Sequence, residues 1–174
     1  MKKKLMLLLT MLPFILIING CIEVKPSFVI VKSIDTVEIN SEYTDLGALY
    51  KYGTIKETVF SEDSVDISVL GLYELNYIYE DQDQAYSAVR YVIVVDQTKP
   101  SIELNPGVDT VYVGANWIDR GAVVGDNSLE LITPVMSGIV NTQIAGTYEV
   151  MYTATDSSGN VNSISRFVTV ITQS

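Results

Sequence analysis

Histidine is absent from all 174 residues of the chain, and cysteine occurs only once. The lack of histidine removes the commonest general base of enzymes and a usual ligand of zinc. A single cysteine excludes both an intrachain disulfide and a thiolate cluster that could hold a metal. The sequence also has no phosphate-binding glycine motif and no G-x-S-x-G nucleophile motif. Carboxylates are therefore the main side chains of this protein that could serve in catalysis or metal binding.

Basic residues are also scarce, since 11 lysines and arginines stand against 21 aspartates and glutamates, for a formal net charge of −10. Three of these lysines, Lys2 to Lys4, are clustered at the start of the sequence. A chain of this charge cannot neutralise phosphates or adsorb to anionic headgroups, so we expect no nucleic-acid partner. Hydrophobic residues make up 48% and include 11 tyrosines, which is enough to build a folded core.

The one long hydrophobic run is too short to span a membrane. It extends from Leu5 to Ile18, directly after the lysines, and is interrupted by Pro13. A bilayer-spanning helix needs roughly 20 apolar residues. A charged start followed by a shorter apolar run is typical of a secretory signal peptide. We therefore predict a signal peptide over residues 1–20.

The end of this run, IINGC, places the small residue Gly20 before Cys21. This order resembles the lipobox of bacterial lipoproteins, which implies cleavage after Gly20 and a diacylglycerol group on Cys21. Two acyl chains hold a protein stably on a membrane, whereas one is marginal. We expect a protein anchored to the extracytoplasmic face of the cell membrane through a tether of residues 21–26. A signal peptide cleaved elsewhere, with an unmodified thiol, is the alternative.

Two stretches of the chain are nearly the same. IDTVEINSEYTDLGALY begins at Ile34, and VDTVYVGANWIDRGAVV begins about 75 residues later at Val108. The pairs LYELNYIYE with TYEVMYTAT and VRYVIVV with SRFVTVI continue the match in the same order. Their alternation of apolar and polar residues is typical of strands with one buried face. The sequence predicts two copies of one β module, over residues 27–96 and 97–174, with very little helix.

Each copy has the length and strand density of a small immunoglobulin-like sandwich. In each, a tyrosine opens a long strand, Tyr73 in the first copy and Tyr148 in the second. Such a tyrosine either bonds through its hydroxyl to the upstream backbone or is an ordinary core aromatic. The predicted fold class is all-β, with two tandem immunoglobulin-like antiparallel β-sandwiches after the signal peptide.

The second copy resembles the bacterial Ig-like repeat first noticed in a pesticidal crystal toxin and widespread in surface proteins. The resemblance rests on KPSI, GANWIDRGA, GTYEV, TATDSSGN and the closing SRFVTV. The first copy departs from the pattern, because YEDQDQAY lacks the Gly-Asn turn and LYKYGTI replaces the Asp-Asn pair. The resemblance implies a non-catalytic spacer, binding or adhesion module at the cell surface.

Four aspartates recur in the two copies, namely Asp45, Asp81, Asp119 and Asp156. Paired carboxylates can hydrolyse glycosides, so the alternative is a carbohydrate-binding or glycan-processing accessory protein of the envelope. Repetition instead favours side-chain bonds within turns, and a small sandwich offers little room for a cleft. We therefore expect no enzymatic activity. A solute-binding lipoprotein would need a helix-containing two-lobed body, which this sequence does not supply.

Acidic and amide side chains near the boundary between the copies raise the question of a metal. Asp96, Asp119, Asp126 and Asn127 offer the oxygen ligands that Ca²⁺ prefers. Lys99 lies in the same boundary, however, and the acids do not follow the EF-hand pattern. Two interpretations remain open: solvated turn acids with no cofactor, or a Ca²⁺ site.

Tyrosines are concentrated in the first copy at Tyr50, Tyr52, Tyr86 and Tyr91. Only Tyr91 has an aromatic counterpart in the second copy, Phe167. An exposed row of these rings would bind a glycan or an envelope protein, the two partner classes that we expect besides the membrane. Core and edge-strand roles are the alternative.

Overall fold

The computed structural model describes residues 24–81 and 84–173. The predicted signal peptide, with Gly20 and Cys21, lies outside the described residues. The described part of the chain folds into twelve β-strands without a helix. Accordingly, these residues contain no helical segment of the length and apolarity that crossing a membrane requires.

The first six strands form two three-stranded sheets, ordered β1-β3-β4 and β2-β6-β5. Their bounds are β1 (Ser27–Ile30), β2 (Ile34–Glu38), β3 (Ala48–Tyr52), β4 (Ile55–Val59), β5 (Gly71–Asp81) and β6 (Gln84–Val95). Val37 and Leu75 from one sheet pack with Ala48 from the other, so the core lies between the two sheets. This is the predicted sandwich.

The remaining six strands repeat this arrangement in two sheets, ordered β7-β9 and β10-β11-β12-β8. Their bounds are β7 (Ser101–Leu104), β8 (Thr110–Tyr112), β9 (Ala122–Gly125), β10 (Val135–Ser137), β11 (Gly146–Thr155) and β12 (Val161–Ile171). Among the described residues, no strand pairing joins the first six strands to the last six. We refer to residues 27–96 as the first domain and to residues 97–174 as the second.

Alternating burial along the long strands confirms the predicted period of two. On β5, Leu75 and Tyr77 are buried, whereas Glu74 and Asn76 between and beside them are exposed. The corresponding strand β11 buries Val150 and Tyr152 in the same way. Full burial of a side chain such as Leu or Val contributes about 1.5–3 kcal/mol. Burial of the alternating apolar residues therefore determines which face of each sheet packs into the core.

The tyrosine that opens each of these strands forms a corner. The Tyr73 hydroxyl donates to the Val69 carbonyl at 2.9 Å, and the Tyr148 hydroxyl donates to the Ile144 carbonyl at 2.8 Å. Each bond reaches four residues back along the chain and fastens the entering loop to the strand. The corner role is therefore confirmed in both domains.

Each domain also contains one parallel strand pair, which the prediction of antiparallel sandwiches did not include. Strand β2 runs parallel to β6, with Ile34 opposite Tyr91, and β8 runs parallel to β12, with Thr110 opposite Thr169. The pairs form because the chain crosses from one sheet to the other after β1 and again after β7. The prediction of immunoglobulin-like β-sandwiches is confirmed, with sheets that are mixed and not wholly antiparallel.

The two domains differ in the partner of their fourth strand. In the first domain, β4 pairs with β3 through a tight hairpin at Gly53, whose φ of 59° suits glycine. In the second domain, the chain turns after β9 at Asp126, and Leu129 adopts a φ of 64°. As a result, β10 pairs with β11 and not with β9. The replacement of the Asp-Asn pair by LYKYGTI thus corresponds to a hairpin in place of an acidic turn.

Candidate cation site at the domain junction

Hydrogen bonds join the two domains at the ends of their strands. The carboxylate of Glu38, the last residue of β2, accepts the backbone N–H groups of Gln97 and Thr98, each at 2.9 Å. The same oxygen accepts the side-chain amide of Asn127 at 3.0 Å, and Asn40 donates to the Asn127 carbonyl at 2.8 Å. Burial raises the pKa of Glu38, but these donors outweigh it and hold the pKa below its usual value. Glu38 is therefore charged and fixed at the junction.

Three aspartates converge beside this contact, and each directly follows a strand. Asp96 follows β6, Asp126 follows β9 and Asp156 follows β11. One carboxylate oxygen of each lies within 4.8 Å of the other two. Asp96 is only 8% exposed and Asp156 only 6%. We refer to Asp96, Asp126 and Asp156 as the junction carboxylates.

Two junction carboxylates are oriented by their own turns. Asp156 accepts the backbone N–H of Asn160 at 2.7 Å and its side-chain amide at 2.8 Å. One oxygen of Asp126 accepts the backbone N–H of Ser128 at 2.9 Å and its hydroxyl at 2.6 Å. The second oxygen of Asp126 is buried, and no donor in the described part of the chain bonds to it.

The negative charge of Asp96 is the least stabilised by hydrogen bonds of the three junction carboxylates. Among the described residues, no donor forms a hydrogen bond with either of its buried carboxylate oxygens. Burial raises the pKa of Asp96, and the nearby charges of Asp126 and Asp156 raise it further. Ser158 and the Thr98 backbone counteract this in part, at a geometry that falls short of a hydrogen bond. A buried carboxylate without donors is costly, so this one needs compensation from elsewhere.

Among the described residues, no basic side chain forms an ion pair with a junction carboxylate. The ion pairs within residues 24–81 and 84–173 join Lys32, Arg90 and Arg166 to other aspartates, and Lys99 is exposed and takes part in none of them. Chemically, the junction is a cluster of hard oxygen atoms with excess negative charge, which is the donor set that Ca²⁺ and similar cations prefer.

The structure places the predicted metal ligands in two different locations. Asp96 and Asp126 lie together, and the side-chain oxygen of Asn127, the residue after Asp126, is buried without a hydrogen-bond donor among the described residues. Asp119 is not part of this group, because it accepts the Tyr152 hydroxyl and the Gly121 N–H. The missing member is Asp156, which the sequence placed only among the repeated turn acids. Its position directly after a strand, like that of Asp96, was the available signal.

The turn role predicted for the repeated aspartates is confirmed for three of the four. Asp45 and Asp119 each accept the N–H of a glycine two residues ahead, at 3.0 and 2.9 Å. Asp156 accepts bonds within its own turn, as described above. Asp81 differs, since it accepts the Tyr50 hydroxyl at 2.8 Å.

Asp45 is also part of a buried ion pair in the first domain. The Arg90 guanidinium, fully buried, donates to Asp45 at 2.9 Å and to the Gly47 carbonyl at 3.1 Å. The Tyr77 hydroxyl donates to the same Asp45 oxygen at 2.6 Å. In the second domain, Arg166 bonds instead to Asp109 at 2.7 Å. These acids therefore stabilise the two domains and do not face a common cleft.

The tyrosines of the first domain are divided between two faces. Tyr50 is buried, and its ring stacks on Tyr79 with centroids 4.1 Å apart. Tyr50 and Tyr79 line one surface recess together with Tyr52 and Tyr86. Tyr91 alternates along β6 with the buried Arg90, so it points to the opposite face of the sheet. The four tyrosines named from the sequence therefore do not form a single row.

Comparison with known proteins finds that the second domain is similar to a family of bacterial surface modules. No curated protein matches the chain. The crystal structure of human mucin-like protocadherin EC1-2 aligns with 87% of this chain and 100% of its own length, at 10% identity and a TM-score of 0.33. Residues 104–170 match the family described as bacterial surface protein, Ig-like domain, and the second domain is thus similar to that family over most of its length.

Proposed function

We propose that this protein is a non-catalytic surface lipoprotein, in which two Ig-like domains act as a binding, adhesion or spacer unit. The observation that carries the proposal is the match of residues 104–170 to the bacterial surface Ig-like family. The engagement of Asp45 and Asp119 in turns and with tyrosine hydroxyls adds support, because it leaves these acids occupied in the fold. Activity would then come from contact with a partner and not from turnover.

The proposed anchor is a diacylglycerol on Cys21. Strand β1 begins at Ser27, so only a few residues would separate the lipid from the first domain. The contacts between the domains lie at strand ends, at Glu38 and Asp96 in the first domain and at Asn127 and Asp156 in the second. This arrangement would hold the first domain close to the membrane and carry the second away from it.

The contact surface that we propose lies on the second domain, between β9 and β11. Leu129 is 83% exposed, Leu131 99% and Ile139 84%. Contiguous exposed apolar patches mark protein contact surfaces, and we propose that these three side chains belong to one such patch. Aliphatic groups gain free energy by burial against other apolar groups, which a protein offers more readily than a hydrated glycan. The expected partner is therefore a protein of the envelope.

The lipid anchor is tested with the full chain in its host. Labelled palmitate should be incorporated into the wild type and not into Cys21→Ser, and the variant should leave the membrane fraction. Label on the variant, or equal membrane retention of the two, would refute the anchor at this cysteine.

The contact surface is tested by binding purified envelope fractions to the full chain. Leu131→Ser combined with Ile139→Ser should reduce binding, whereas Val31→Ser, an equally exposed residue of the first domain, should not. Protease treatment of the envelope should abolish the binding. Binding that survives protease but is lost after periodate oxidation would point to a glycan instead.

A further inference from the structure

We propose that Asp96, Asp126 and Asp156 bind one Ca²⁺ ion, which fixes the two domains to each other. This inference goes beyond the surface role and does not depend on the lipid anchor. Its starting point is the origin of the ligands, because Asp96 belongs to the first domain and the other two to the second. An ion bound to all three would be a bond between the domains.

The spacing of the junction carboxylates fits a single ion. Ca²⁺ binds oxygen at 2.3–2.6 Å, so two oxygens on the same ion lie at most about 5 Å apart. One oxygen from each of the three aspartates lies within 4.8 Å of the other two. The three oxygens are therefore close enough to share one ion.

Buried oxygens that lack hydrogen bonds provide a second, independent indication. Both carboxylate oxygens of Asp96, the second oxygen of Asp126 and the amide oxygen of Asn127 are buried without a donor among the described residues. Buried polar atoms in proteins are nearly always paired, so a group of unpaired acceptors at one place calls for a ligand. Acceptors require a cation or a proton donor, and the excess negative charge favours a cation.

The ligands are also held in place before an ion arrives. Asn160 donates to Asp156 and, at 3.2 Å, to the backbone carbonyl of Asp96, so a single side chain positions two of the three. Ser128 holds one oxygen of Asp126 and leaves the other available. Hydrogen bonds of this kind orient ligands and strengthen binding at metal sites.

The donor set selects the type of cation. The three ligands are all carboxylates, and the chain has no histidine that would favour zinc. Mg²⁺ requires near-ideal octahedral geometry at shorter distances and retains its waters, whereas Ca²⁺ accepts irregular sites with six to eight oxygens. We expect water to complete the coordination and a Kd on the order of 10⁻⁴ to 10⁻³ M, the range of extracellular calcium modules.

The experiment measures thermal unfolding of the full chain in detergent, with chelator, with Ca²⁺ or with Mg²⁺. Ca²⁺ at about ten times its Kd should raise the unfolding midpoint by several degrees, and Mg²⁺ should raise it less. Small-angle scattering should show a narrower distribution of interdomain distances with Ca²⁺ than with chelator. Equal midpoints and equal scattering with Ca²⁺ and chelator would overturn the proposal.

Asp126→Asn has a closely matched control in Asp66→Asn. Asp66 accepts the backbone N–H and hydroxyl of Ser68 at 3.0 and 2.6 Å, the same turn that Asp126 forms with Ser128, but it is not one of the junction carboxylates. Asparagine preserves such a turn. Ca²⁺ affinity by calorimetry should fall at least about tenfold in Asp126→Asn and stay unchanged in Asp66→Asn. Equal affinities in the two variants would show adventitious binding and refute the site.

Asp96→Asn separates loss of the site from loss of the fold. Removing its charge relieves the repulsion among the junction carboxylates, so this variant should unfold in chelator at or above the wild-type midpoint. It should nevertheless fail to respond to Ca²⁺. A variant that is as stable as the wild type and still shows the full Ca²⁺ response would exclude Asp96 as a ligand.

Discussion

The side-chain amide of Asn127 donates to the carboxylate of Glu38 at 3.0 Å, across the boundary between the two domains. The same carboxylate also caps the two N–H groups of the linker. A single acidic residue of the first domain therefore holds both the linker and the turn after β9 in the second domain. The junction is a defined interface, and its stability can be measured.

Glu38→Ala should loosen this interface. It removes the hydrogen bonds that a charged carboxylate accepts from the N–H groups of Gln97 and Thr98 and from the Asn127 amide, which should lower the free energy of unfolding by about 1–3 kcal/mol. Urea denaturation followed by tyrosine fluorescence measures this. Glu74→Ala, at an exposed position on β5, is the control and should change little. Equal losses in the two variants would contradict a structural role for Glu38.

The two buried arginines, Arg90 and Arg166, should differ in their contribution to the free energy of unfolding. Asp45, the partner of Arg90, is 21% exposed, whereas Asp109, the partner of Arg166, is 51% exposed. Arg90→Met leaves a poorly solvated carboxylate and should cost about 3–5 kcal/mol. Arg166→Met leaves a carboxylate that water can solvate, so we expect about 1–3 kcal/mol. Urea unfolding of both variants is the test, and a larger loss for Arg166→Met would contradict it.

The two corner tyrosines should each make a modest contribution to the free energy of unfolding. Tyr73→Phe and Tyr148→Phe remove one hydroxyl bond to the backbone, and each should lower the free energy of unfolding by about 1 kcal/mol. Tyr112→Phe, at an exposed position, is the control and should be neutral. No change in either corner variant would mean that water replaces the lost bond.

Alkaline pH should unfold the protein through its buried tyrosines. Burial, followed by the hydrogen bond to Asp119, raises the pKa of Tyr152 to about 12, and burial with the bond to Asp45 raises the pKa of Tyr77 as well. A free tyrosine has a pKa of about 10, so the folded state holds these protons more tightly than the unfolded chain. The resulting stability is complete below pH 10 and is lost as the pH rises toward 12.

The measurement is the unfolding midpoint between neutral pH and pH 12, together with the tyrosinate absorbance. Tyr152→Phe should make the decline less steep, and Tyr112→Phe should not alter it. A midpoint that stays constant over this range, with all tyrosines titrating near pH 10, would show that the buried hydroxyls are accessible to solvent.

Local patterns in the sequence were sufficient for the strands and their burial. The alternation around Leu75 and Val150 requires one face to be buried, and a strand has only two faces. The corner role of Tyr73 was one of two alternatives, because a hydroxyl bond depends on where the preceding loop passes. The structure determines that path and so decides between them.

The junction could be predicted only in part. Asp96, Asp126 and Asn127 were named because they stand near the boundary in sequence, but Asp119 was included for the same reason and lies elsewhere. Asp156 was not included, since it is 60 positions further along than Asp96 and only the pairing of β11 with β12 brings its turn to the boundary. Contacts between distant turns depend on the packing of the whole domain, which local sequence does not encode.

The parallel pairing of β2 with β6, and of β8 with β12, has a mechanical consequence. These strands lie near the start and the end of each domain and run in the same direction, so tension between the ends of a domain shears the bonds between them simultaneously. In the first domain five residue pairs would resist this shear, from Ile34 opposite Tyr91 to Glu38 opposite Val95. In the second domain three pairs would resist it, at Thr110 to Tyr112 of β8. We therefore expect the second domain to yield first under a pulling force, while the first domain continues to bear the load.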